Sequence, residues 1–126
     1  MLRPRHLTIA KPGSTKWLSR RQEERIAKIY GGVVSPSSGA SAADPGDVRT
    51  DDQLFECKHT GTFDKPAKSI SIKLSDLEKI ADEAWAEGRD PVMALCIYNP
   101  DSVLSDHEGN VDVIVRLKRD DWVRNG

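Results

Sequence analysis

The stretch GDVRTDDQLFECKHT, residues 46–60, holds two short runs, Asp47-Val48-Arg49 and Leu54-Phe55-Glu56-Cys57-Lys58, separated by the polar residues TDDQ. This pattern predicts an antiparallel hairpin. Strand side chains alternate between the two faces of a sheet, so Glu56 and Lys58 share one face while Phe55 and Cys57 share the other. The hairpin sets Asp47 and Glu56 on neighbouring strands. Unpaired carboxylates placed beside strand residues cost several kcal/mol unless something compensates them. One lysine cannot neutralise Asp47, Glu56 and a third acid, Glu23, together, whereas a divalent cation can. Magnesium accepts one or two carboxylates with waters and phosphate oxygens, and the Cys57 carbonyl is a further oxygen ligand within reach.

Upstream, Ser19 with Gln22 three positions later has the spacing of a capping box and predicts a helix ending at Gly31-Gly32. Its apolar positions are Ile26, Ala27, Ile29 and Tyr30. Glu23 falls within a turn of Ile26 and Ala27 and below Tyr30, on the inward stripe. Glu24 instead joins Arg20 and Lys28 in an i, i+4 row, as a solvated ion-pair ladder does. Residues 33–47, VVSPSSGASAADPGD, then read as a possible short strand at Val33-Val34 and a loop of small residues whose backbone a phosphate can approach.

Downstream, SISIK (69–73) alternates as a third strand burying Ile70 and Ile72. Ser75 and Glu78 form a second capping box, and Leu77, Ile80, Ala81, Ala84 and Trp85 make an amphipathic helix stopped by Gly88. PVMALCIY (91–98) is a continuous apolar run suited to a central strand covered on both faces, and VDVIVRL (111–117) alternates as an edge strand. The expected order is α-β-β-β-α-β-β, an α/β (α+β) mixed sheet flanked by helices.

At 126 residues and 14.0 kDa the chain suits one domain. We place a basic N-terminal arm at 1–15 and a single domain at 16–126. The net charge of −1 conceals an asymmetry, for residues 1–30 hold eight Lys/Arg against Glu23 and Glu24 and so carry +6, the remainder −7. Arg3, Arg5, Arg20 and Arg21 give that segment the footprint of a polyanion binder. Cys57 and Cys96 lie in apolar runs as free thiols, and His6, His59 and His107 lack zinc-site spacing. No run approaches the ~18 apolar residues of a membrane span, so we expect a cytoplasmic protein without membrane contact or organic cofactor.

An acid followed by Glu-x-Lys on the next strand resembles the PD-(D/E)XK nuclease signature, with Pro45-Gly46-Asp47 in place of Pro-Asp. Within that superfamily the chain is most similar to archaeal-type and bacteriophage-encoded Holliday junction resolvases. RQEERIAKIYGG (21–32), PSSGAS (36–41), PGDVRTDDQLFECK (45–58) and SISIKLSDLEKI (69–80) carry the likeness. The resemblance implies a restriction-endonuclease-like fold with an α-β-β-β-α-β core. It makes Glu23 the helix acid, with Glu24 the alternative one residue on, Asp47 and Glu56 the metal carboxylates and Lys58 the catalytic lysine. Ser38 and Gly39 match the small loop beside the scissile phosphate, and Lys73 a basic residue facing DNA. The implied chemistry is Mg²⁺-dependent hydrolysis of branched DNA, with Mn²⁺ able to substitute. Paired nicks on opposing strands imply a two-fold homodimer, for which Trp17, Leu18 and Trp122 are apolar residues the core does not obviously need.

Overall fold

The computed structural model describes residues 10–36 and 46–119. In chain order the elements are α1 (Thr15–Tyr30), β1 (Val33–Val34), β2 (Val48–Arg49), β3 (Gln53–Thr60), α2 (Leu74–Ala86), β4 (Asp90–Tyr98) and β5 (Asn110–Arg116). They form an α+β fold of two helices and one five-stranded mixed sheet, ordered β1-β2-β3-β4-β5. The hairpin is present: β2 pairs antiparallel with β3, Val48 opposite Phe55 and Arg49 opposite Leu54. Thr50 N–H closes its turn on the Gln53 carbonyl at 3.0 Å. β3 and β4 run parallel, joined through α2, and β5 returns antiparallel along β4.

The continuous apolar run of β4 reflects its place between two helices. Val92 and Ala94 pack with Phe55 and Val48 under Ile26 and Ala27 of α1. Met93 and Leu95, one residue out of phase, pack with Leu54 under Ile80 and Ala84 of α2. Each face thus takes alternate residues of the same strand, as the pleat requires. Because Leu54 faces α2, so do Glu56 and Lys58; Phe55 and Cys57 face α1.

Helix α1 starts four residues before the expected Ser19 cap. The Ser14 hydroxyl accepts the Trp17 N–H at 3.3 Å from an extended backbone, so Ser14 is the N-cap. The helical stripe extends accordingly through Leu18, Gln22 and Ile26, all buried, and Leu18 belongs to the core and is not available for an interface. Ile29, expected on the apolar stripe, is 63% exposed. The C-terminus is as expected: Gly31 adopts a left-handed φ of 69°.

Two further expectations are corrected. SISIK is not a strand, since residues 69–73 form an irregular approach to α2. Ile70 packs against the α2 side of the core, but Ile72 is exposed and, among the described residues, no strand pairs with the segment. The third strand of the expected order is supplied instead by Val33-Val34, paired with β2. In α2 the N-cap is Lys73, which makes no side-chain cap bond, and the helix begins ahead of Ser75.

Gln22 ties the helix to the sheet. Its buried amide donates to the carbonyls of Lys58 and Ala94, both at 3.1 Å. We predict that Gln22→Leu lowers stability by about 1–2 kcal/mol, because two buried acceptors lose a donor while an unpartnered amide oxygen is removed with it. The shift of the urea midpoint at constant slope measures it.

Candidate active site

The short β2 covers only the first part of β3, and the carboxylates gather where that cover ends. Gly46 makes the approach feasible. Its φ is 69°, and a Cβ there would lie 2.8 Å from Leu54 Cδ1, so a side chain would be both strained and obstructed. This gives the Pro-Gly-Asp spelling a local reason. Asp47 N–H donates to the Phe55 carbonyl at 2.8 Å, and the Asp47 carboxylate accepts the Cys57 N–H at 2.8 Å. A strand residue directs its N–H and C=O toward the same neighbour. The Cys57 carbonyl therefore faces the β2 side, beside Asp47, where no described strand pairs with it.

Glu56 shares a side-chain hydrogen bond with Asp47. Burial first and the Asp47 charge second push its carboxyl up to about 7, against smaller opposing effects of Lys58 and Lys79. Near neutrality, then, Glu56 is only partly ionised, because a second negative charge in a buried place beside Asp47 is disfavoured. Lys58 Nζ stands 3.2 Å from Asp76 Oδ2 on the first turn of α2. The lysine lies between Glu56, whose ionisation it favours, and Asp76.

The Cys57 thiol is pushed well up by burial and by Asp47, Glu23 and Glu56, with Arg25 opposing. It is a neutral thiol, and its useful ligand atom is the main-chain oxygen. The same influence locates Glu23 on the α1 side of Cys57, half-buried, while Glu24 is exposed. Glu23 is thus the more buried of the two acids, as its place on the expected inward stripe requires. Among the described residues, however, no three His, Cys, Asp or Glu side chains converge closely enough to hold a metal ion. Glu23 and Glu56 lie toward opposite faces of β3, so the oxygen donors brought together are Asp47, Glu56 and the Cys57 carbonyl. That set fits magnesium: hard oxygens, two carboxylates, and a pair whose mutual repulsion a cation relieves.

Lys73 is exposed and lies three residues before Asp76, whose N–H donates to the Lys73 carbonyl at 3.0 Å, one turn from the Lys58 partner. Arg20 is exposed on α1. Arg21 is engaged with Glu108 and lies over the Trp17 ring, 4.7 Å from its centroid. Ser38, Gly39, Arg3, Arg5 and Trp122 lie outside the described residues. Asp76 and Lys79 are not among the residues the sequence singles out, and Gln22, expected in a capping box with Ser19, instead anchors α1 to β3 and β4. That role was within reach, Gln22 sitting four residues before Ile26 on the buried stripe, but nothing in the sequence links Asp76 to Lys58.

No protein family, no curated protein and no solved structure matches this chain. No described helix is long and apolar enough to cross a membrane.

Proposed function

We propose that the chain is a divalent-metal-dependent DNA endonuclease acting on branched DNA, with the four-way junction as its preferred substrate. The observation that carries this reading is the Asp47–Glu56 carboxyl pair where β2 ends beside β3, with Lys58 two residues along on the same face as Glu56. The resolvase-like motifs supply the substrate class.

Asp47, Glu56 and the Cys57 carbonyl would hold Mg²⁺ or Mn²⁺, which when bound lowers the pKa of water and neutralises charge on a phosphoryl oxygen. The chain's own groups do the rest. Asp47 is held in a defined position by the Cys57 N–H. Glu56 releases its proton when a cation takes the pair, which couples binding to pH. Lys58 stabilises negative charge on the pentacoordinate phosphorus and orients the attacking water, with Asp76 limiting where its ammonium can stand. Lys73, one turn away, suits a neighbouring phosphate.

Two coordinated nicks require two such sites, hence a two-fold homodimer. Val103 and Leu104, 99% and 75% exposed, are apolar residues on the surface that such an assembly could cover. A second reading, a non-catalytic DNA-binding module, is favoured by the Lys58–Asp76 ion pair, which accounts for the lysine without chemistry. End-labelled four-way junction, fork and linear duplex incubated with Mg²⁺ separate these readings. Symmetric nicks confined to the junction support a resolvase, cleavage of every substrate a general nuclease, and binding without cleavage the module.

A further inference from the structure

Beyond the C-terminal end of β3 the chain builds an aromatic cluster that the proposed chemistry does not use. Phe63 stacks on Tyr98 with centroids 5.2 Å apart and meets Trp17 edge-on at 5.6 Å. Its ring rests on Gly13, whose φ of 82° and missing Cβ make room for it. The Phe63 side chain still remains 50% exposed. It separates two open clefts. One, of about 200 Å³, is lined by Trp17, Leu18, Arg21, Phe63, Glu108 and Asn110; the other, of about 340 Å³, runs from Lys11 along Ser14 and Thr15 to Asp64.

A large ring left half in water, although three partners already hold it, presents a stacking surface. Cations outnumber acids around it: Lys16 and Arg20 are exposed within one turn of Trp17 and Lys65 and Lys68 on the Phe63 loop, against the exposed Asp64. The Glu108 carboxylate in the first cleft is neutralised by Arg21. Aromatic faces flanked by cations suit single-stranded nucleic acid, whose bases stack while its phosphates meet the charges.

We propose that Phe63 and Trp17 form a stacking site for an unpaired base of the DNA substrate, on the α1 side of the sheet and past the C-terminal end of the strand that carries Glu56. The site rests on the nuclease reading and narrows its substrate to DNA with unstacked bases near a branch.

Fluorescence anisotropy in EDTA, where no cleavage occurs, tests it with three labelled probes: a single strand, the corresponding duplex, and an abasic strand of equal length. Phe63→Leu keeps the apolar packing and removes the ring. It should weaken single-strand binding about ten-fold, leave duplex and abasic binding unchanged, and be rescued by Phe63→Trp. Equal affinity of variant and wild type for the single strand would overturn the stacking site, as would an equal loss on all three probes. If wild type binds duplex and cuts the junction while Phe63→Leu changes nothing, only the stacking site fails. If wild type binds no DNA at all, both readings fall.

Discussion

Under the proposed nuclease function, Glu56→Gln should lower strand cleavage ~10³-fold or more and at the same time make the protein more stable above neutral pH. The two effects share a cause. A glutamine keeps a hydrogen-bonding group beside Asp47 but removes one of the two negative charges, and with it the hard-oxygen pair that fits a divalent cation. In the wild type, burial and Asp47 raise Glu56 from an ordinary 4.5 to about 7. The native state therefore holds more protons than the unfolded state between these values, and stability falls as pH rises through that window and levels off above it. A shift of this size corresponds to at most about 3 kcal/mol, and partial solvation reduces it to about 1–2 kcal/mol. The variant should lack the decline and melt several degrees above wild type at pH 8 in EDTA. At pH 5 the two should converge. Magnesium should raise the wild-type melting temperature at pH 8 and barely move the variant, since only the wild type gains from neutralising the pair. A variant that cleaves at the wild-type rate would remove Glu56 from the chemistry, and one that melts lower at pH 8 would contradict the repulsion.

How far such a site can be read in advance depends on whether its parts are local. The hairpin was legible because its turn, its alternation and the facing of Asp47 and Glu56 all lie within residues 46–60. The β4 run was legible because a strand covered on both faces must be apolar at every position, and this one is. Glu23 could be separated from Glu24 by helical phase alone. Alternation misleads at 69–73, where Ile70 is half-buried for reasons of packing while a strand also needs a neighbour for its backbone, which the sheet does not offer there. The sequence pattern points to Ser19 as the cap of α1, but Ser14 is equally competent, and Leu18, in register with Gln22 and Ile26, decides for the earlier one. Trp17 was legible as an apolar residue in search of a partner, but Phe63 arrives from a loop after β3 that no periodicity marks. Lys58 could be chosen from its position, whereas its companion Asp76 belongs to another element and is set by how α2 lies on the sheet.

That companion yields the second large effect. Lys58→Met should lower the cleavage rate by ~10²–10³-fold with little change in DNA affinity, because the ammonium acts on charge that develops only in the transition state. Asp76→Asn should have a smaller consequence, about ten-fold on kcat with KM unchanged, since Asp76 positions the lysine and does not touch the phosphate. Stability discriminates this from a structural role. The Lys58 and Asp76 side chains are 35% and 30% exposed, and a partly solvated pair of this kind contributes about 1 kcal/mol or less. Were the pair only a brace between β3 and α2, either substitution would lower stability by that same small amount and neither would affect catalysis differently from the other. The nuclease reading requires inequality: the lysine variant far more damaged in rate than the aspartate variant, both folded, both binding junction DNA. Removing Lys58 also withdraws a charge that eases the ionisation of Glu56, so proton release on adding Mg²⁺ should move to higher pH in Lys58→Met. Equal loss of rate in both variants would instead make the intact pair, and not the lysine, the functional unit.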